Sequence, residues 1–206
     1  MSGDNYAAID LGTNNCRMLI AKAHGETFKV IDSFSRIVRL GEGLFNGFHL
    51  HEKAIERTIG ALQVCAKKMK AKGIIKSRAI ATEACRQASN TEQFYKKVFQ
   101  ETGIEFETIS SEQEAQLTLD GCAPLLDRKI SQAIVFDIGG GSTEIIWVKT
   151  SSNEEPVVLA MLSLPIGVVT LSEQYANSTI KIDQYEEIIA NVDQRLALFD
   201  QEYGIS

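Results

Sequence analysis

The 206-residue chain is 44% hydrophobic and 23% charged, near the globular average, which excludes a disordered, collagen-like or disulfide-scaffold protein. Its 21 basic and 27 acidic residues leave a net charge of −6, a poor basis for nucleic-acid binding, which runs on phosphate neutralisation by Lys and Arg. No apolar run reaches the roughly 20 residues of a membrane helix, and a chain this long forms one large or two small domains without metal or disulfide support. The start, Met1-Ser2-Gly3-Asp4-Asn5, has no basic stretch followed by an apolar one, so a cytoplasmic location is expected. Cys16, Cys65, Cys85 and Cys122 form no CxxC pair and read as reduced core residues. His49 and His51 lack a third ligand nearby, so no zinc site is expected.

Residues 6–11 and 16–23 read as strands. The turn formers Gly12, Thr13, Asn14 and Asn15 between them make the pair a hairpin. A third strand, 29–40, follows a turn at Gly25 and Glu26, and Gly41, Gly43 and Gly47 then mark a loop. Residues 51–72 carry a helical stripe of Ala54, Ile55, Ile59, Leu62, Cys65, Ala66 and Met69, with Thr58 in the same row, closed by lysines and Gly73. A strand at 78–82, a helix at 91–102 stopped by Gly103, a strand at 105–109 and a helix at 111–122 complete a β-β-β-α-β-α-β-α unit. Strands at 132–137, 143–149 and 157–164 and helices at 168–176 and 182–199 begin the pattern again. The boundary falls at 126–130, dividing the chain into 1–128 and 129–206.

The repeat is visible in the residues. Ile9-Asp10-Leu11-Gly12-Thr13-Asn14-Asn15 recurs as Phe136-Asp137-Ile138-Gly139-Gly140-Gly141-Ser142. Asp10 to Asp137 and Lys22 to Lys149 are both separated by 127 residues, which points to duplication. Gly139, Gly140, Gly141, Ser142 and Thr143 expose backbone N–H groups without bulky side chains, so the turn can wrap an oxyanion. Gly12, Thr13 and Asn14 can do the same from the opposite side, clamping a phosphate chain. Asp10 and Asp137 would orient a divalent cation; carboxylates with phosphate oxygens suit Mg²⁺. Neither a GxxxxGK[ST] loop nor a GxGxxG fingerprint is present.

These residues carry a resemblance. The stretches 8–17, 39–44, 81–90, 109–115, 136–144 and 163–167 resemble, in order, blocks of the exopolyphosphatase / guanosine pentaphosphate phosphohydrolase family. That family belongs to the superfamily of actin, the heat-shock chaperone ATPases and the sugar kinases. The resemblance implies an α/β, actin-like (ribonuclease H-like) fold of duplicated lobes, with the second lobe incomplete. It implies phosphate-binding loops at Asp10–Asn15, including Gly12, Thr13 and Asn14, with Arg17 beside them, and at Asp137–Thr143. Arg86 would contact phosphate, Glu114 would activate water, and Glu144 would lie near the metal with Asp10 and Asp137. The implied cofactor is Mg²⁺ or Mn²⁺. The implied reaction is hydrolysis of a terminal phosphoanhydride in polyphosphate or guanosine pentaphosphate.

Some residues also have plainer readings. Ser111-Glu112-Gln113-Glu114 is a capping-box spacing, in which Glu114 would reach back to the N-cap amide. Lys67, Lys68, Lys70, Lys72, Lys76 and Arg78 read as a solvated helix end, and Asn177-Ser178-Thr179 fits a glycosylation sequon that means nothing without secretion. The block that usually holds an Arg has Thr170 here, and family members continue beyond residue 206. The remaining alternatives are an ATP-using actin-like kinase or ATPase and a non-catalytic alarmone-binding module. No membrane or nucleic-acid partner is expected. A three-stranded second lobe would leave an open edge, which suits a homodimer.

Overall fold

A computed structural model describes residues 4–25, 27–44, 47–152, 154–175 and 179–204. Strand β1 (Asn5–Leu11), β2 (Asn15–His24) and β3 (Thr27–Ile37) lead into helix α1 (Glu52–Ala71). Then come β4 (Lys76–Ala81), α2 (Glu83–Gln87), α3 (Thr91–Thr102), β5 (Glu107–Thr108) and α4 (Ser111–Cys122). After a 3-10 turn at Ala123–Leu125 the chain forms β6 (Gln132–Ile138), β7 (Thr143–Lys149), β8 (Val157–Leu164), α5 (Val168–Gln174) and α6 (Ile182–Tyr203). Two sheets result, a five-stranded one in the order β3-β2-β1-β4-β5 and a three-stranded one in the order β6-β7-β8.

The duplication holds at the level of hydrogen bonds. The β1–β2 register runs from Asn5↔Lys22 to Leu11↔Cys16, and β6–β7 repeats it from Gln132↔Lys149 to Ile138↔Thr143. Gly12 N donates to Asn15 O at 2.9 Å, and Gly139 N donates to Ser142 O at the same distance. Each second strand breaks register with its third at the equivalent step, Ile20/Ala21 and Trp147/Val148.

Alternation along β1 sends Ala7, Ile9 and Leu11 into the main core, where they meet Ile55, Ile59, Leu62 and Cys65 of α1 and Phe94 and Val98 of α3. The expected α1 stripe is the buried face, and the Thr58 hydroxyl is satisfied by the Ala54 carbonyl at 2.8 Å. Gly73 (φ +60°) follows α1, and Gly103 (φ +69°) caps α3, each in the left-handed conformation that ends a helix. A second, smaller core joins Ala115 and Leu119 of α4 to Ile146 and Val148 of β7. The last helix of the first lobe therefore lies on the second lobe's sheet.

Several boundaries differ from the sequence reading. The third strand stops at Ile37 rather than residue 40, because Val38 N and Arg39 N both donate to Asn14 O, at 2.8 and 3.0 Å, and brace the first turn. The strand expected at 105–109 pairs only at Glu107–Thr108, where Arg78 meets Glu107. The short helix α2 was not anticipated, and α6 runs four residues further than expected, to Tyr203, where Gly204 at φ +63° caps it. Glu26 of the expected turn, residue 176 of the expected helix, and Asn177 and Ser178 of the sequon lie outside the described residues. Lys68 and Arg78 of the basic run are paired, with Asp32 and Glu107. All four cysteines are free, and among the described residues no helix is long and apolar enough to cross a membrane.

Gly60 sits inside α1, and a Cβ there would meet nothing within 4 Å. Gly60→Ala removes backbone entropy from the unfolded chain at no steric cost. The expected gain is roughly 0.5–1 kcal/mol, a rise of about 1–4 °C in Tm by calorimetry. A lower Tm would show that α1 bends at this residue.

Candidate active site

The two glycine turns meet. A Cβ on Gly140 would lie 3.0 Å from both Asn14 N and Asn14 Cβ, and one on Gly167 would lie 2.5 Å from Gly140 C and O. Gly140 is not in the left-handed region, so its smallness is required by the approach of the turns rather than by its φ. Beside this contact lies a cleft of about 150 Å³. Its lining includes Asp10, Gly12, Thr13, Asn14, Asn15 and Arg17 from the first lobe and Asp137, Gly139, Gly140, Gly141 and Ser142 from the second, together with Glu114.

Glu114 stands in the first turn of α4 but does not cap it. The cap is Ser110, whose hydroxyl accepts from Gln113 N at 3.2 Å, while Gln113 Oε1 accepts from Ser110 N at 3.0 Å. The capping box is shifted by one residue from the expected one. This shift leaves the Glu114 carboxylate to the cleft. There it accepts from Arg86 Nη1 at 2.8 Å.

Arg86 is fixed from three sides. Nε donates to Glu83 Oε2 at 2.9 Å, and Nη1 donates to Ile109 O at 3.0 Å as well as to Glu114. Nη2 lies 2.8 Å from Glu83 Oε2 but off the hydrogen-bond axis, so this buried nitrogen has no aligned acceptor among the described residues.

Burial pushes the Glu114 carboxyl up to about 7; the Arg86 guanidinium pulls against the rise, and Glu144 and Asp10 add to it. Asp10 is raised as well, by burial first, with Arg17 lowering it and Asp137 raising it. Burial also raises Glu144, against hydrogen bonds from Ser142 and Ser163. Acidic groups gathered out of water in this way are a mark of functional sites.

Most of the sequence-predicted residues converge here, and three sit differently. Glu144 is 1% exposed and does not line the cleft; its Oε1 accepts from Ser163 Oγ at 2.9 Å. Thr143 donates to Ile166 O at 2.6 Å behind the turn. Arg86 reaches the cleft through Glu114 rather than as part of its lining. Thr170 caps α5, accepting from Gly167 N at 2.8 Å, and supplies no cationic contact. The sequence reading missed Thr82, Glu83 and Val168, which complete the lining together with Ile138 of the second loop. The i,i+3 spacing of Glu83 and Arg86 was the available signal for one of them, once the segment is known to be helical.

Among the described residues no group of three His, Cys, Asp or Glu is placed to hold a metal. Asp10 and Asp137 nevertheless line the same cleft as the glycine turns. Two carboxylates fit a Mg²⁺ that takes its other ligands from phosphate and water.

Two β-β-β-α units meeting at paired glycine turns define an actin-like α/β fold. Residues 19–206 match the Ppx/GppA phosphatase family, and the chain belongs to it. It is 39% identical over 177 residues to a bifunctional 3-dehydroquinate synthase/phosphatase of Fusobacterium nucleatum subsp. nucleatum, over 82% of this chain and 26% of that protein. It superposes on the crystal structure of an exopolyphosphatase-like protein with a TM-score of 0.86 at 28% identity, over 98% of this chain and 62% of that one. For the Aquifex aeolicus family member the TM-score is 0.67 at 34% identity, over 82% and 54%. The chain thus spans about a quarter of that curated relative and less than two thirds of these solved structures.

A side chain on Gly140 must push the first turn away. Gly140→Val is expected to weaken binding of tripolyphosphate, measured by calorimetry with Mg²⁺ present, by a larger factor than it lowers folding stability. Equal losses in affinity and Tm would mean that the contact only holds the lobes together.

Proposed function

We propose that the cleft hydrolyses the terminal phosphoanhydride bond of polyphosphate or guanosine pentaphosphate. One observation carries the reading: Glu114 is freed from its helix cap, sheltered from water, and raised to about 7 beside the turns. A base that titrates near neutrality is matched to accepting a proton from water. In this reading Glu114 orients water for in-line attack and takes its proton. The turn amides receive the charge that builds on the transferred phosphoryl group, and Arg86 adds its positive field from behind Glu114. Asp10 and Asp137 would hold Mg²⁺ or Mn²⁺, which would neutralise phosphate charge when bound. Glu144, buried against Ser163, would act through its field rather than as a ligand. Phosphate release from polyphosphate, guanosine pentaphosphate and ATP, compared side by side on the longest natural form, tests the proposal. Turnover of ATP alone would assign the cleft to a different reaction.

Glu114→Gln should cost roughly 10²–10⁴-fold in kcat while substrate binding persists, because the amide accepts no proton. Near-normal kcat would make Glu114 structural. The same variant tests the titration. A carboxyl raised from 4.5 to about 7 on folding adds stability at low pH that is lost as pH rises through about 7. In metal-free buffer the Tm difference, variant minus wild type, should therefore grow between pH 5 and 8. A constant difference would mean that Glu114 keeps an ordinary carboxylate pKa.

The second lobe also has a surface the first lobe lacks. Ile134, Phe136 and Ile138 of β6 are 53, 67 and 59% exposed, whereas their repeat partners Ala7, Ile9 and Leu11 are 6, 1 and 1% exposed. On its far side β1 pairs in parallel with β4; β6 has no such neighbour among the described residues. An open edge beside apolar side chains drives pairing with another chain. The 206-residue chain should self-associate, as a homodimer or larger species, through the exposed β6 face. Sedimentation velocity should show Phe136→Lys shifting the population toward monomer. A wild-type chain that stays monomeric at about 100 μM would refute the association.

A further inference from the structure

Glu83 has no place in the reaction as described, yet it is a mostly buried carboxylate facing the cleft. Three contacts define it. Its Oε2 accepts from Arg86 Nε at 2.9 Å. Its Oε1 accepts from Gln87 Nε2, so both oxygens are engaged within α2. Its stem lies against the second lobe: a Cβ on Gly141 would come within 3.1 Å of Glu83 Cγ and 2.6 Å of Thr13 Oγ1. The head of Glu83 thus grips a first-lobe arginine while its stem is braced on a second-lobe turn.

Arg86 needs such a grip. Its Nη1 is divided between the Ile109 carbonyl and Glu114. Those two bonds leave the guanidinium free to pivot about Nη1. The Nε bond to Glu83 removes the pivot and fixes the plane, because guanidinium donors form a rigid fork. With the plane fixed, Nη2 is held where it has no aligned acceptor of its own. The geometry points to Glu83 as a positioning residue: it locks the Arg86 plane so that Nη1 keeps the Glu114 carboxylate aimed into the cleft, and the lock is set only while the Gly141 turn bears on its stem. An ordinary i,i+3 surface pair would not lie in a cleft or touch the opposite lobe. The consequence for turnover rests on the hydrolytic reading above; the lock itself does not.

The Arg86 Nε–H resonance in ¹H–¹⁵N spectra of the 206-residue chain reports the lock directly. It should be protected from solvent exchange in the wild type, and exchange should speed up roughly tenfold or more in Glu83→Ala, which removes a charge-assisted bond. Glu83→Gln keeps the shape and covers the case in which the alanine variant does not fold; its neutral oxygen should give intermediate exchange. Gly141→Ala, by pressing on the stem, should also speed exchange. Exchange unchanged in both Glu83 variants overturns the lock, and exchange unchanged in Gly141→Ala overturns the brace. On the longest natural form, Glu83→Gln should lower kcat for tripolyphosphate without raising KM, since removing a negative charge does not weaken anion binding. A raised KM with unchanged kcat would also overturn the lock. Should no form hydrolyse any substrate while exchange responds as stated, the hydrolytic reading falls and the positioning role stands.

Discussion

The structure turns on a contact that leaves no room for a side chain on its second-lobe face. Gly140 faces the backbone of Asn14, and Gly167 faces the backbone of Gly140, at separations that a single added methyl group would violate. The first of these contacts joins the two lobes and the second packs Gly167 behind the turn within one lobe, and the cleft is built beside that meeting. The turn amides of both lobes come close enough to address one ligand. The strand-end carboxylates, Asp10 and Asp137, both reach the cleft because each precedes its turn by the same number of residues. Even the early end of β3 serves the contact, since Val38 and Arg39 leave the sheet to hold the Asn14 carbonyl. Arg39 adopts a φ of +48° in doing so, a conformation that a non-glycine residue accepts only when its surroundings over-determine it.

Around that contact the chain collects more negative charge than positive. Asp10, Glu83, Glu114, Asp137 and Glu144 lie in or beside a cleft where Arg86 and Arg17 are the nearby cations. Burial and mutual repulsion raise several of these carboxyls together. The arrangement is costly for the folded chain alone; a cation held between the carboxylates, as proposed, would invert the local electrostatics and offset that cost. A stability optimum was evidently not what shaped these residues. The same reasoning explains why Glu144 takes two hydroxyl partners: a carboxylate out of water has to be hydrogen-bonded.

Much of this was legible beforehand, for identifiable reasons. The Asp-apolar-Gly repeat marked both hairpins, and the apolar runs after the second glycine turn marked β7 and β8 to the residue. The α1 stripe and the helix-ending glycines marked α1 and α3 in the same way. The failures have a common source in interactions distant in sequence. The five residues of α2 are too few to show a period, so the Glu83–Arg86 pair was invisible as a pair. Ser110 and Ser111 are equally good caps on paper, and the choice between them decides whether Glu114 is tied to a backbone amide or faces the cleft. Glu144 was placed near the metal by the resemblance alone. The pleat of β7 instead carries it to the buried side, beside Ser163.

The placement of α4 carries a consequence for how the molecule comes into being. This helix ends the first lobe in the chain, yet Ala115 and Leu119 supply half of the second lobe's small core against Ile146 and Val148. The second sheet therefore has no complete interior of its own until a neighbouring element has been delivered to it. During synthesis the first lobe emerges with its strands and covering helices complete and can consolidate alone, as N-terminal domains generally do. The second can only condense onto α4 afterwards, so assembly is ordered. Any event that frays the start of α4 would disturb the nucleation of the lobe that follows as well as Glu114.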